Sequence, residues 1–348
     1  DAGIILAVGW TGEWETRLTR SAEGALRLQA GMALTRFGLH PGEEVRTPRI
    51  LMLFWSGEPI RGHNLLRRFI LTHHRPHPDG APLVAPLCNG NWGGTPADVH
   101  LDNIRQIVEQ DLPIEYYWID AEWFGSPGHW KKNAGHWVPR SDLYPQGFQP
   151  ISAALHRAGR KLVLWFEPER VAPGTPWFEE LQAWLLSIPA ADAITWDDYG
   201  DHLAPQDWMK MESARNQLNP GDRLLNLGNP AARRFLTDFL SDRIREFGID
   251  CLRWDSNIAQ LAYWRLADAP DRQGLCEIRY VEGQYALWDE LLERHPGLII
   301  DNCASGGRRI DLESISRSTP LWRTDYAVGH RGPVAAQCHS LGLMHWVP

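Results

Sequence analysis

The sequence predicts an α/β fold of repeated parallel βα units, wound as a barrel, and three observations carry that prediction. Five segments run apolar and aromatic and then stop on a carboxylate: Tyr116–Asp120, Leu162–Glu167, Cys251–Asp255, Leu298–Asp301 and Leu321–Asp325. Helical spacing followed by a glycine precedes three of them, with Gly159, Gly248 and Gly297 as the stops. No GxGxxG or Walker motif follows any of these segments, which disfavours a nucleotide-binding, doubly wound sheet. Buried parallel strands read as short apolar runs, and ligands sit beyond their carboxyl ends. An acid repeated at that end predicts several carboxylates converging on one site.

The elements follow in order. Residues 1–57 alternate with the two-residue period of strands (Ile4–Val8, Trp14–Leu18, Leu26–Leu28, Ile50–Trp55), broken by turn signals at Thr11-Gly12, Glu23-Gly24 and Pro41-Gly42. This is an antiparallel β region. Residues 58–71 read as a connecting helix and 73–82 as a Pro/Gly-rich boundary, so 58–82 forms the link to a barrel over 83–348. Within the barrel one helix opens at Thr95-Pro96, with Thr95 as N-cap, and carries Leu101, Ile104 and Val108 on one face. A second covers 148–158. A third opens at Asn229-Pro230 and spaces Phe235, Phe239, Leu240, Ile244 and Phe247 helically. A fourth lies near 281–294.

Composition bounds the function. The 348 residues are 43% hydrophobic and 22% charged, and no apolar run approaches the ~18 residues of a membrane span. A net charge of −8 offers no basic surface, so neither nucleic acid nor a membrane is an expected partner. Eighteen Trp suit either stacking on sugar rings or a Trp-rich core, and the count alone leaves both open. Five scattered Cys without a CxxC pair fit reduced thiols, hence a reducing compartment such as the cytoplasm. Fourteen His form no HxxxH or HExxH, and no metal or organic cofactor is expected. The chain starts in mid-pattern at Asp1 and stops on the apolar residues 341–348, so it is expected to be a piece of a longer protein, inactive in isolation.

Two carboxylates suffice for glycoside hydrolysis, one protonating the leaving oxygen and the other attacking or activating water. Asp255 and Asp325 form the best pair, because each closes an apolar run soon after a Trp. A single acid at a strand end is more often a cap or an ion pair; five in one register weigh against that. The glycine-containing loop Asn302–Arg309 lacks the Lys-Ser/Thr of a phosphate cradle. A tight turn and a close approach of backbone, thiol and guanidinium to a ligand hydroxyl both stay open there. Glu167 and Glu169 read as structural acids that hold Trp and Arg side chains.

Four ordered motifs make the sequence resemble glycoside hydrolase family 36, the bacterial α-galactosidases and their α-N-acetylgalactosaminidase relatives. They are Trp165–Val171, Arg253–Asn257, Asp301–Asp311 and Trp322–Asp325, and His136–Pro145 and 229–257 fit the same family. The resemblance implies a (β/α)8 barrel, its last strands lying beyond this chain, preceded by a β-sandwich of which residues 1–57 are the final strands. It implies a retaining mechanism with Asp255 as nucleophile and Asp325 as general acid/base, their carboxyls about 5–5.5 Å apart. It further implies substrate contacts from Trp92, Asp120, Trp165, Arg253, Asn257, Cys303, Gly306 and Arg309. The implied partner is an α-galactoside or related oligosaccharide, and a homo-oligomer is left open.

Two departures bear on the sugar. Ala121 stands where the family carries a second Asp after the second strand, and Arg253 where it carries Lys. Glu122 is open as a replacement for the missing acid. An α-N-acetylgalactosaminidase, a hydrolase of a modified galactoside and a non-catalytic sugar-binding fragment are the competing readings.

Overall fold

The computed structural model describes every residue except 78, 79, 81, 189–220 and 326–331. Strand β1 (Ala2–Gly9) pairs antiparallel along its whole length with β5 (Arg49–Ser56), and β2 (Trp14–Arg20) pairs with β3 (Leu26–Met32). Alternation decides which side of β1 and β5 is covered. Ile5, Ala7, Leu51 and Leu53 pack on Leu66 and Ile70 of the helix Pro59–His73, while Ile50, Met52 and Phe54 face outward and are exposed. Buried Trp10 donates its Nε1–H to Glu277 at 3.0 Å, and Thr11 Oγ1 donates to Asp311 at 2.9 Å. Strand β4 (Arg36–Phe37) pairs with β13 (Arg272–Gln273). The N-terminal strands are thereby tied to the remainder of the protein.

The remainder is built on five parallel strands: β6 (Cys88–Asn91), β7 (Tyr116–Ile119), β8 (Lys161–Phe166), β12 (Cys251–Trp254) and β14 (Ile299–Asn302). Their spatial order is their chain order, with no reversal. A doubly wound sheet would reverse at a switch point; this one advances in a single direction. Residues Tyr117, Ile119, Leu162, Leu164, Leu252, Trp254 and Ile300 meet helix residues Ile104, Ile107, Ile151, Leu155, Leu240 and Leu291 in the main core. Their odd-numbered or even-numbered neighbours Tyr116, Val163, Cys251 and Ile299 form a separate cluster on the other face. The helices Ala97–Glu109, Gln149–Arg157, Pro230–Phe247 and Leu275–Arg294 pack side by side in chain order along the first face. Short strands β9 (Arg170–Val171), β10 (Leu185–Leu186) and β11 (Arg223–Leu225) make a small antiparallel sheet beyond the end of β8.

Helix signals behave as elementary chemistry dictates at Asn229, whose side chain accepts the Ala231 N–H, and at Gly248, which closes its helix in the left-handed region at φ 67°. Two expectations need correction. The helix predicted to be capped by Thr95 starts at Ala97, with Pro96 in the cap position, because its first bonds, from Val99 and His100 N–H, are accepted by the Pro96 carbonyl and no side chain caps it. Leu321–Asp325 is not a strand. The Leu321 N–H goes to the Asp301 carboxylate at 2.8 Å rather than to a ladder, and Pro320 before it has no N–H to give. The fourth helix begins at Leu275, earlier than its sequence pattern suggested.

Candidate active site

Register places the acids. Arg253 on β12 pairs with Trp165 on β8 and with Asp301 on β14, while Asp120 follows Ile119, the partner of Leu164. These four residues occupy one row across the sheet. Two residues further along, on the same face, come Asp255 and Cys303. Backbone bonds from Asp255 N–H to Phe166 O and from Cys303 N–H to Trp254 O, each 2.8 Å, extend the ladder to that level. A strand period of two thus stacks Asp255 above Arg253 and Cys303 above Asp301.

Asp255 is buried and fully supplied with donors. Oδ2 accepts from Trp165 Nε1 at 3.1 Å and from Asn257 Nδ2 at 2.9 Å; Oδ1 accepts the backbone N–H groups of Ser256 at 2.8 Å and Ser305 at 3.2 Å. Ser305 reaches it from a left-handed backbone, φ 48°, a strained conformation of the kind found at functional sites. Burial pushes the Asp255 carboxyl upward, but the Arg253 charge and the hydrogen bonds from Asn257, Cys303 and Ser256 outweigh it and hold it below the ordinary aspartate range.

Asp325 behaves oppositely. Its side chain reaches solvent, and its Oδ1 accepts the Trp322 indole N–H at 2.8 Å. Crowding by surrounding protein raises its pKa, against the Trp322 bond; the negative Asp255 adds to the rise. Gly306 brings this acid to the site. It sits at φ 87°, and a Cβ there would lie 3.1 Å from the Asp325 nitrogen, so a side chain would strain the backbone and press on that segment.

One cation serves several acids here. Arg253 bonds Asp301 at 2.8 Å and Cys303 Sγ at 3.2 Å, lies 3.6 Å from Asp120 and stacks on Trp118, its guanidinium carbon 4.0 Å from the ring centroid. Burial raises the Asp120 and Asp301 carboxyls, with Arg253 opposing it in both. Asp120 also accepts from Trp118 Nε1 at 2.9 Å and from the Ala121 N–H at 2.8 Å. Burial raises the Cys303 thiol well above its usual value, so it stays protonated.

The sequence-derived residues fall into two sets. Asp255, Asp325, Asp120, Arg253, Asn257, Cys303 and Gly306 are brought together around the ends of β7, β12 and β14. Trp92, at the end of β6, presents a 43% exposed ring. Trp165 and Arg309 were expected to touch the ligand, and the structure places them behind the site instead. Trp165, 1% exposed, stacks on Phe124 and spends its N–H on Asp255. Arg309 pairs with Glu169 at 2.8 Å in the interior. Glu169 also accepts from Trp254 Nε1, Gln260 and Tyr280, so the structural role read for it from sequence matches its surroundings. Arg308, passed over in the sequence, is the exposed arginine of this loop; its Nε donates to Ala304 O at 2.8 Å, and the charges of Asp255 and Asp325 bear on it. Its signal was adjacency, since one position in NCASGGRR decides which arginine turns outward. Among the described residues no group of three His, Cys, Asp or Glu side chains is placed to hold a metal ion.

Glu167 offers a pH test of the supporting network. Its Oε1 accepts from Arg170 at 3.1 Å and from the Asn257 N–H, and Arg170 also pairs with Asp222 at 2.7 Å. Burial pushes the Glu167 carboxyl up to about 7, with Arg170 opposing and Asp255 reinforcing the rise. A raised folded-state pKa means that the stabilisation is full below the unfolded value, near 4.5, and is lost as pH rises through about 7. The cost of Glu167→Gln, measured by urea unfolding, is therefore expected to shrink across that window by at most about 3 kcal/mol.

Comparison with known proteins agrees with this geometry. The chain is 25% identical over 323 residues to alpha-galactosidase Mel36A of Lactobacillus acidophilus, covering 92% of this chain and 41% of that protein. It is 26% identical over 344 residues to alpha-galactosidase C of Emericella nidulans, covering 92% and 40%. The GH36 alpha-galactosidase AgaA of Geobacillus stearothermophilus, solved in complex with stachyose, superposes with a TM-score of 0.78 at 19% identity, over 99% of this chain and 45% of that one. The alpha-galactosidase of Lactobacillus brevis superposes at 0.75 and 21% identity, over 100% and 44%. These likenesses show an α/β glycosidase fold, and the chain spans less than half the length of these relatives. The Melibiase family matches residues 46–330, a stretch that contains all four motifs quoted above, and the chain belongs to that family, glycoside hydrolase family 36.

Proposed function

We propose that the full-length protein is a retaining α-galactosidase that removes terminal α-linked galactose from oligosaccharides, with Asp255 as nucleophile and Asp325 as general acid/base. The observation that carries this reading is the divergence of two neighbouring carboxyls, Asp255 held down and Asp325 pushed up. Environments that drive two acids apart assign the roles of base or nucleophile and of acid. Asp255 attacks the anomeric carbon while Asp325 gives its proton to the leaving oxygen. Asp325, then a carboxylate, takes a proton from water as that water displaces Asp255 from the sugar. The Ser305 and Ser256 N–H groups, Trp165 and Asn257 fix the attacking carboxylate, and Asp120 and Arg253 line the floor beneath the sugar.

The single direction of strand winding supports closure into a (β/α)8 barrel in the full-length protein. The exposed row Ile50, Met52 and Phe54 supports residues 1–57 being the edge of a further β domain. Substrate choice is readable by comparing the nitrophenyl α-galactoside with its 2-acetamido analogue. Cys303, Arg253 and the 303–306 turn crowd the site with a thiol and a guanidinium, and we expect the plain galactoside to be cleaved with the larger kcat/KM. Cleavage of the acetamido sugar alone would overturn the galactosidase assignment and favour an α-N-acetylgalactosaminidase. Sugar binding with no turnover of either would favour a non-catalytic protein.

A further inference from the structure

Glu122 combines two features that ordinary surface glutamates lack. It sits in the left-handed region at φ 81°, which non-glycine residues seldom adopt and which persists at sites where surrounding structure imposes it. Its side chain is committed to the rim of the candidate site: Oε2 accepts the Trp92 indole N–H at 2.8 Å. The contact needs the two loops to be close. A Cβ on Gly93 would lie 2.3 Å from the Asp120 carbonyl oxygen and 2.6 Å from that of Ala121, so the Trp92 turn rests directly on the Asp120–Trp123 backbone. Behind Glu122 stands Arg140, its NH1 3.8 Å from Oε1, itself held by Asp142 through bonds of 3.2 and 2.7 Å.

We infer that Glu122 is a specificity-determining positioning residue: through the chain Asp142–Arg140–Glu122–Trp92 it sets the angle of the exposed indole against which the sugar ring of an α-galactoside packs. The inference rests on the function proposed above. A Trp ring attached by one flexible side chain sweeps several rotamers, and ordering it beforehand spares that loss of freedom when ligand binds. An indole N–H bonded to a carboxylate is a charge-assisted bond, stronger than one to a neutral acceptor. Oε2 is bonded to the Trp92 indole and Oε1 faces Arg140 at 3.8 Å, so the role inferred for Glu122 runs through the indole.

The test uses the full-length protein. Glu122→Ala keeps the backbone demand and removes the strut, and Glu122→Gly removes both, which guards against failure to fold. Each is expected to raise KM for raffinose about tenfold, the worth of one lost hydrogen bond of about 1.4 kcal/mol. The effect on kcat should stay within about twofold, since the chemistry at Asp255 is untouched. Glu122→Gln should restore most of the loss, because its amide oxygen still accepts the indole N–H. Adding Glu122→Ala to Trp92→Ala should change KM no further. A crystal structure of Glu122→Ala should show the Trp92 ring turned from its wild-type angle. An unmoved ring, or a full KM effect persisting without Trp92, would overturn the inference. Absence of any α-galactoside hydrolysis by the wild type would instead overturn the proposed function, leaving the ring angle as the arbiter here.

Discussion

Asp255→Asn is expected to abolish turnover, with kcat lowered on the order of 10^4–10^6-fold, the loss seen when a nucleophile that works as part of a unit is removed. The amide is nearly the same size, so circular dichroism and the urea midpoint should change little by comparison. Its NH2 must, however, face donors whichever way it turns: Trp165 and Asn257 at the position of Oδ2, or the Ser256 and Ser305 N–H groups at the position of Oδ1. Arg253 also loses one of the negative charges around it. A variant that kept most of the wild-type kcat would show that Asp255 is a structural acid among the five and not the attacking group.

Glu169→Ala carries the largest expected effect on stability. Glu169 is buried and accepts from Arg309 at 2.8 Å, Trp254 Nε1 at 2.7 Å, Gln260 at 2.7 Å and Tyr280 at 2.6 Å. Removing one partner of a buried ion pair leaves the other charge uncompensated, which costs about 3–5 kcal/mol. The three further donors lose an acceptor as well. The urea midpoint should fall with an unchanged m value, which marks a loss of stability rather than a change in compactness. Glu169→Gln should lie between alanine and wild type, because its carbonyl keeps part of the donor set. If Glu169→Ala unfolded at the wild-type midpoint, the view of this acid as the anchor of Trp254 and Arg309 would be untenable.

Much of the site was legible because parallel strands expose two separate signals. The apolar runs at 116–119, 162–166, 251–254 and 299–300 are buried on both faces, so they stand out from the helices, and the residue that ends each run is where buried sheet meets ligand space. Asp120 and Asp255 could therefore be placed before any coordinates. Leu321–Asp325 imitates the same pattern and is not a strand, because a run of five residues does not reveal where its first N–H is spent. The roles of Trp165 and Arg309 were misjudged for a related reason. A motif says which residues are close, whereas the side of the wall each one faces depends on packing by Phe124, Glu169 and other residues distant in sequence. Glu122 shows the same limit from the other direction, since its left-handed backbone and its bond to Trp92 are set by loop geometry that no spacing encodes.

The central claim is the pairing of Asp255 as nucleophile with Asp325 as proton donor in a double displacement. The most direct measurement is proton NMR of the first sugar released by the full-length protein from an α-galactoside, recorded before mutarotation. Two successive inversions return the configuration to its starting point, so the account predicts α-galactose as the first product. β-Galactose appearing first would mean a single displacement by water, and it would contradict the assignment of Asp255 as the nucleophile.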